Sequence, residues 1–304
     1  MLRHAVPALV AGAIAASVPT LSYAQSWPTR PVTMVVPFAA GGPMDTVARI
    51  LQSRMGVAKA PPDGYQFVLG NVGTHAVSQT LMKRPPYNSR TDFAPVALLA
   101  DLSLVLVVRK DLPVSNLKEF IAYAKANQDK MQFASAGAGS ATHLGCVLLN
   151  AAAGIKVTHV PYRGGAPAMQ DLVAGRVDYL CIDTPVAIPQ IESGAIKGIA
   201  ILTKGRSASL PNLPSAQEQG LAGFEASNWA AFFLPKGTPA PIVKKLHDAA
   251  VASMSTPEVQ KRLKENGVDI VAPERRSPEY LARFVAAEID KWAGPVKAAG
   301  VVQE

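Results

Sequence analysis

Cysteine is scarce in this 304-residue chain, which contains two, and aromatic residues make up only 6% of it. Two cysteines are too few for a small disulfide-stapled domain, and 49% hydrophobic residues exclude a disordered polyelectrolyte. No apolar run reaches the roughly 20 residues that a membrane-spanning helix needs. At roughly 100–200 residues per domain, the length predicts two domains, each with its own core.

Positive charge is in excess but is not clustered. The chain has 30 Lys and Arg against 22 Asp and Glu, a net charge of +8. Proteins that bind nucleic acids usually concentrate basic residues on one face, whereas the densest groups here are pairs such as Lys244-Lys245 and Arg275-Arg276. We therefore expect a diffuse field that attracts small anions and no nucleic-acid partner.

The N-terminus has the pattern of a secretory signal. Arg3 and His4 precede an uncharged, Ala-rich stretch over residues 5–18, and the pattern ends at Ser22-Tyr23-Ala24, which is similar to A-x-A cleavage sites. We expect cleavage after Ala24, export from the cytoplasm and no membrane-embedded segment in the mature chain. The alternative is an N-terminal anchor that stays attached.

The two cysteines, Cys146 and Cys181, lie in a helix pattern and a strand pattern. They could pair in an oxidising compartment, but the sequence cannot place them within bonding distance. Two buried thiols are the favoured interpretation, and a disulfide is the alternative.

From Pro31 onward, short β-branched runs alternate with helical patterns, which is typical of βαβ units around a parallel sheet. The predicted strands are Val32–Val36, Gln66–Leu69, Val96–Leu99, Leu104–Val108, Gln132–Ala134, Lys156–Val160, Val177–Ile182, Ile196–Leu202 and Ala230–Leu234. The predicted helices include Ser115–Asn127, Thr142–Ala153, Ala166–Ala174 and Val186–Glu192, then three that open on Thr238-Pro239, Thr256-Pro257 and Ser277-Pro278.

Four loops that follow predicted strands, at residues 37–46, 70–75, 135–143 and 160–168, are rich in glycine and small hydroxyl residues. Ligands of open α/β sheets bind beyond the carboxyl ends of strands, where backbone N–H groups at helix N-termini attract anions. The loops therefore predict a site for a small carboxylate. Tight-turn chemistry is the alternative for any one loop. Asp45 could cap its helix or bind a ligand ammonium. Asp183 directly follows a predicted buried strand, and no neighbouring residue in the sequence explains a carboxylate at this position.

Enzyme motifs are absent from the sequence. There is no G-x-S-x-G elbow, and Thr142 stands where a dinucleotide fingerprint would have its third glycine. The histidines form no i, i+4 pair and no cysteine cluster accompanies them, so we expect no metal and no other cofactor. A secreted hydrolase or lyase acting on an acidic small molecule is the alternative, with candidates Asp45, His75, His143 and Asp183.

Seven motifs follow one another between about Trp27 and Gly300. They are Pro37-Phe38-Ala39-Ala40-Gly41-Gly42 with Asp45, Pro62-Asp63-Gly64-Tyr65, Asp92-Phe93-Ala94-Pro95-Val96, Ser135-Ala136-Gly137 with Gly139-Ser140 and His143-Leu144, His159-Val160-Pro161-Tyr162, Leu213-Pro214 with Glu218 and Gly220, and Pro235-Lys236-Gly237-Thr238-Pro239. In this order they resemble the Bug family, the extracytoplasmic solute receptors of tripartite tricarboxylate transporters.

The resemblance implies a periplasmic, non-enzymatic receptor with the type II periplasmic-binding-protein (Venus flytrap) architecture: two doubly wound α/β domains joined by two crossover strands. Domain 1 would comprise residues 25–108 and 228–304, and domain 2 residues 109–227. The resemblance also implies a carboxylate ligand in the interdomain cleft, and transporter subunits of the membrane or a sensor kinase as partners. The implied ligand-binding residues are Phe38, Ala39, Ala40, Gly41, Gly42, Asp45, Asn71, Thr74 and His75 from domain 1, and Ser135, Gly137, Ser140, Tyr162, Gly164 and Asp183 from domain 2.

The sequence departs from this family in one place. Relatives carry roughly two dozen more residues, including a strand and a Gly-rich loop, where this chain runs from Arg54-Met55-Gly56 directly into Val57-Ala58-Lys59-Ala60. We expect the missing strand to belong to a sheet edge, so that the fold survives while the edge of the first strand is left uncovered.

Overall fold

The structure is a computed structural model that describes residues 27–36 and 63–298. The expected signal peptide, the first loop with Phe38 to Asp45, and the shortened segment after Gly56 lie outside the described residues. The strands are β1 (Thr33–Val35), β2 (Gln66–Asn71), β3 (Phe93–Arg109), β4 (Gln132–Ser135), β5 (Thr158–Pro161), β6 (Tyr179–Asp183), β7 (Ile196–Ile201), β8 (Ser227–Pro235) and β9 (Asp269–Ile270). The helices are α1 (Ser78–Leu81), α2 (Leu117–Asn127), α3 (Ala141–Ala153), α4 (Gly165–Val173), α5 (Thr184–Glu192), α6 (Ala240–Met254), α7 (Pro257–Glu265) and α8 (Pro278–Ala298), with a π-helical turn at Gly73–Val77 and a 3-10 turn at Pro273–Arg275.

Strand β3 is 17 residues long and belongs to two sheets. Its first part, up to Ser103, pairs antiparallel with β8 and with β9, and β8 leads on through β2 to β1. Its second part, from Leu104, pairs antiparallel with β6 and β7, and β6 leads on through β4 to β5. The two sheets therefore have the orders β9-β3-β8-β2-β1 and β7-β3-β6-β4-β5 and share one strand.

Both faces of both sheets are covered by helices. Along the second part of β3, Leu104, Leu106 and Val108 pack with α2 and α3, whereas Val105 and Val107 pack with α4 and α5. The period-2 alternation of side chains explains why consecutive residues enter different cores. In the first sheet, α6 and α7 cover one face, and α8 covers the other with the π-helical turn. The predicted class, two doubly wound α/β units, is confirmed.

Two sequence predictions about element bounds were wrong. The strands predicted at Val96–Leu99 and Leu104–Val108 are parts of one strand, β3. Asp101 interrupts the apolar sequence pattern between them, but it still pairs with β8. Helix α6 begins at Ala240 after Pro239, so Thr238 is not its N-cap; the Thr238 hydroxyl donates to the Pro235 carbonyl instead.

The last helix, α8, buries a carboxylate in its apolar stripe. Glu288 is buried, and its Oε2 accepts hydrogen bonds from the indole Nε1 of Trp229 at 3.0 Å and of Trp292 at 2.9 Å. Because both indole N–H groups find their acceptor in one carboxylate, two large aromatic rings can pack in the core without an unpaired donor. Around Glu288, the apolar side chains Leu281, Val285 and Ile289 pack on the first sheet.

The preferred interpretation of the cysteines as free thiols was wrong. Cys146 on α3 and Cys181 on β6 form a disulfide, with a Cα–Cα distance of 5.3 Å. Both residues are fully buried in the core that also contains Phe120 and Tyr179. The partners are 35 residues apart in sequence, and only the packing of α3 against β6 brings them together.

We expect the double substitution Cys146→Ala, Cys181→Ala to lower the free energy of unfolding by about 2–4 kcal/mol, because a crosslink over this separation restricts the unfolded chain. Urea unfolding with and without dithiothreitol measures the effect. Reductant should destabilise the wild type and leave the double variant unchanged. Equal stability of the variant and the oxidised wild type would contradict a stabilising disulfide.

Candidate functional site

A cleft of about 570 Å³ opens where the two sheets meet. It lies beyond the carboxyl ends of the parallel strands β1, β2, β4 and β5, the position that the sequence predicted for a site. Among the described residues, the first sheet's side contributes Val36, Gly73, Thr74, Ser78, Leu81, Met82 and Tyr87, and the second sheet's side contributes Arg163 and residues 136–140, the α3 loop.

The two sides of the cleft touch at Gly73. A Cβ atom on this glycine would lie 3.0 Å from the carbonyl oxygen of Gly139 and 3.3 Å from the amide nitrogen of Ala141. A contact of 3.0 Å is tighter than a carbon atom accepts without movement of its neighbour. The absence of a side chain at Gly73 therefore lets the backbones on the two sides approach each other directly.

Reciprocal hydrogen bonds between Asn71 and Thr74 stabilise the turn after β2. The Thr74 amide donates to the Asn71 side-chain oxygen at 3.0 Å, and the Asn71 amide donates to the Thr74 hydroxyl oxygen at 2.9 Å. Two further hydroxyl groups, those of Ser78 and Tyr87, donate to the Thr74 carbonyl oxygen at 2.8 and 2.7 Å. Thr74 lines the cleft, but its hydroxyl group serves the turn; Asn71 does not line the cleft.

His75 lies behind this wall, where it is 1% exposed, and does not line the cleft. Its ring stacks on Phe233 with centroids 4.0 Å apart, and its Nδ1 is 2.9 Å from the Thr74 hydroxyl oxygen. Burial lowers the pKa of His75 to about 3, so the ring is neutral at pH 7. Gly70 makes room for the ring, since a Cβ there would lie 2.4 Å from Nδ1. His75 therefore supports the turn.

Backbone donors of the α3 loop are already engaged within this half of the molecule. The Ala136 amide donates to the Thr142 hydroxyl oxygen at 2.7 Å, and the Gly137 amide donates to the Ser135 hydroxyl oxygen at 3.1 Å. This corrects the expectation that these amides face a ligand. Ser135 is fully buried and lies behind the loop.

Ser140 is the N-cap of helix α3. Its hydroxyl oxygen accepts from the His143 amide at 3.2 Å and its hydroxyl group donates to the Gly137 carbonyl at 2.6 Å. The Gly139 amide donates to the His143 Nδ1 at 3.1 Å. Within the described ranges, the Ala138 amide makes no hydrogen bond, and it is the donor that the loop leaves for the cleft.

Tyr162 and Gly164 are close to the cleft but do not line it. The Tyr162 hydroxyl donates to Asp171 at 2.7 Å, and burial together with this carboxylate raises the pKa of Tyr162 to about 12. Gly164 precedes helix α4 with a φ of 145°, a backbone conformation that L side chains rarely adopt. Both residues shape the loop that carries Arg163.

Asp183 lies at the junction of the two sheets, away from the lining of the cleft. It is the last residue of β6, opposite Leu104 of β3, and its Oδ1 accepts from the Asn228 side-chain amide at 2.7 Å. Asn228 belongs to β8 and lies opposite Leu102 of β3. The hydrogen bond from Asn228 to Asp183 therefore connects the two sheets. Burial raises the pKa of Asp183 to about 6.

Of the predicted site residues that are described, Thr74, Gly137 and Ser140 line the cleft. The prediction missed Arg163, an exposed side chain that forms no ion pair with any described residue. Its position between Tyr162 and Gly164-Gly165, in one of the four glycine-rich loops, is the signal that could have identified it. Among the described lining residues, Arg163 is the one charged side chain.

Three of the side chains suggested for an enzyme are described, and they do not share a hydrogen-bond partner. His75, His143 and Asp183 are hydrogen-bonded to separate partners, namely Thr74, Gly139 and Asn228. Within residues 27–36 and 63–298, no group of three or more His, Cys, Asp and Glu side chains could hold a metal ion. In the same ranges no helix has the length and hydropathy to span a bilayer.

The family model described as tripartite tricarboxylate transporter family receptor matches residues 17–301. The solved structure of MatC from Rhodopseudomonas palustris with bound malate is 38% identical, with a TM-score of 0.84, and covers 89% of this chain and 100% of MatC. The periplasmic binding protein BugD is also 38% identical, with a TM-score of 0.86, covering 91% of this chain and 100% of BugD.

A protein of Agrobacterium vitis, named for the TAR-I ttuE-ttuC' intergenic region, is 36% identical over 306 residues, covering 93% of this chain and 88% of that protein. MatC was solved with bound malate, and BugD is a periplasmic binding protein. The family match over nearly the whole chain agrees with the resemblance to Bug proteins in the sequence motifs. The chain thus belongs to the family of tripartite tricarboxylate transporter receptors.

Proposed function

We propose that this protein is a periplasmic receptor that captures a small organic carboxylate in the cleft between the sheets. It would deliver the ligand to the membrane subunits of a tripartite tricarboxylate transporter or to a sensor kinase. The observation that carries the proposal is the cleft itself, which lies at the strand ends of both sheets with Arg163 as its one charged lining residue in the described ranges.

Charge and geometry on the second sheet's side favour a carboxylate. The Arg163 guanidinium is a planar fork of N–H donors that matches the two oxygens of a carboxylate. The Ala138 amide, which is hydrogen-bonded to no described residue, and the positive end of the α3 dipole lie on the same side. No acidic side chain among the described lining residues opposes an anion.

The opposite side of the cleft suits a hydrocarbon body. Val36, Leu81 and Met82 present aliphatic surface, and Tyr87 contributes a ring whose hydroxyl group is already bonded to Thr74. A ligand with a carboxylate at one end and carbon atoms behind it would satisfy both sides. The malate in MatC is a small organic carboxylate, as the proposal requires.

The receptor would close by a hinge between two domains, residues 25–108 with 228–304 and residues 109–227. The two-sheet membership of β3 supports this division, because pairing changes from β8 to β6 between Ser103 and Leu104. The hydrogen bond between Asp183 and Asn228 would lie at the hinge. Export would use the N-terminal signal, with cleavage after Ala24.

The direct test is a thermal-shift screen of the purified mature chain against di- and tricarboxylates, amino acids and aromatic carboxylates, with malate in the panel. We expect at least one carboxylate to raise the melting temperature in a concentration-dependent way, since a ligand that binds only the folded state stabilises it. Calorimetric titration should confirm one site per chain. A folded protein that no member of the panel stabilises would contradict the proposal.

Arg163→Gln should weaken binding of that carboxylate roughly tenfold, because a charge-assisted hydrogen bond becomes a neutral one at a solvent-exposed position. The dependence of affinity on salt concentration should also decrease. Lys118→Gln is the matched control, since it removes an exposed cation on α2, outside the cleft lining. Equal losses for both variants would show that only the overall charge of the protein matters.

Gly73→Ala should lower ligand affinity about tenfold, because an added Cβ pushes Gly139 away and costs ~1–3 kcal/mol when a bound ligand draws the two sides together. The melting temperature without ligand should change little, since the two sides can separate slightly. Gly205→Ala is the control, because a Cβ there meets no atom within 4 Å. Unchanged affinity of Gly73→Ala would mean that the contact at Gly73 plays no part in binding.

A further inference from the structure

Two histidines outside the cleft lining lie directly behind the α3 loop, and the proposed carboxylate binding does not use them. We propose that His143 is a positioning residue: its neutral ring holds the Gly139 amide and thereby fixes the loop that binds the ligand. Protonation of the ring would release this amide and weaken binding. The inference rests on the proposed function, because it concerns the same cleft.

The hydrogen bond from Gly139 defines the protonation state of His143. A backbone amide can only donate, so the Nδ1 atom that lies 3.1 Å from the Gly139 nitrogen must offer a lone pair. The ring is then neutral, with its proton on Nε2. The arrangement resembles a capping box, because the Ser140 hydroxyl oxygen accepts from the His143 amide while the His143 side chain reaches back toward the preceding turn.

A second ring completes the support. His159 stacks on His143 with centroids 4.1 Å apart, and its Nε2 is 2.7 Å from the Ser135 hydroxyl oxygen, which accepts from the Gly137 amide. Phe133 also stacks on His159, with centroids 4.8 Å apart. Two amides of the α3 loop, those of Gly137 and Gly139, are therefore held through the stacked imidazoles.

The surroundings disfavour a charged imidazole. The rings border a cavity of about 690 Å³ on the far side of the loop, and its lining among the described residues includes Lys156 but no carboxylate. From β6, the titratable neighbour is Tyr179, which stacks on Phe133 and donates its hydroxyl to Asn150. Burial and the neighbouring His159 lower the pKa of His143 to about 4, and burial lowers that of His159.

The direction of the pH effect follows from these contacts. The ligand binds the form in which His143 is neutral, so affinity is complete well above the pKa of this ring in the free protein and declines below it. Because no described acidic group faces the ring, a protonated His143 would find no partner that keeps the loop in place. Protonation of His143 should therefore cause the loss of ligand affinity at low pH. This loss should disappear when residue 143 cannot be protonated.

The test compares the wild type with His143→Asn, whose side-chain oxygen can occupy the Nδ1 position and accept from Gly139 at every pH. Calorimetric titration of the best carboxylate from the screen is carried out between pH 8 and pH 3.5, with circular dichroism at each pH to confirm folding. Kd values should agree at pH 8, and the wild-type Kd should exceed that of the variant about fourfold at pH 3.5, given a pKa of about 4. Ligand protonation and Asp183 affect both proteins equally and cancel in the ratio.

His143→Phe keeps the stacked ring and removes the acceptor, so it should weaken binding roughly tenfold already at pH 8. Unchanged binding by His143→Phe, or identical pH profiles of the wild type and His143→Asn, would overturn the proposal. A readout without ligand separates it from the proposed function: ¹⁵N spectra of the histidine rings at pH 7 should show an unprotonated Nδ1 on His143. A protonated Nδ1 would refute the positioning role of His143 even if a carboxylate binds. An unprotonated Nδ1 would support this role even if no carboxylate binds.

Discussion

Strand β3 is the element on which the rest of the structure depends. Its pairing partner changes between Ser103 and Leu104, from β8 in one sheet to β6 in the other, while the backbone continues without a break. One strand therefore fixes the distance and orientation of two sheets, and with them the strand ends that border the cleft. The buried pair Asp183 and Asn228 lies at this junction, so an ionisable group sits where relative movement of the sheets would be concentrated.

The polar groups near the cleft divide into those that build the loops and those that remain for a ligand. Hydroxyl groups of Ser135, Ser140 and Thr142 bond to atoms of the α3 loop itself. This arrangement costs the cleft several donors but makes the loop rigid before any ligand arrives, which lowers the entropy lost on binding. Among the described lining residues of the second sheet's side, the Ala138 amide and the Arg163 side chain remain available to a ligand.

Local patterns predicted much of the fold because they depend on contacts between near neighbours in sequence. The helices predicted at Ser115–Asn127, Thr142–Ala153 and Val186–Glu192 follow from such contacts, and their bounds differ from those of α2, α3 and α5 by at most two residues. The continuity of β3 through Asp101 could not be predicted in this way, because a polar residue in a strand is acceptable only when β8 pairs beside it and Arg275 binds its carboxylate. The disulfide was ambiguous for the same reason, since it depends on the packing of α3 on β6.

The amino-acid sequence by itself determined the α/β class, the positions of the loops that border the cleft and the receptor family, because periodicity, turn residues and motif order are properties of the linear chain. Only the tertiary structure decided which residues face the cleft. His75, Tyr162 and Asp183 lie in or beside suitable loops, yet their polar groups turn to Thr74, Asp171 and Asn228, whereas Arg163 faces the opening. The direction of a side chain depends on partners that are distant in sequence, and those partners exist only once the sheets have assembled.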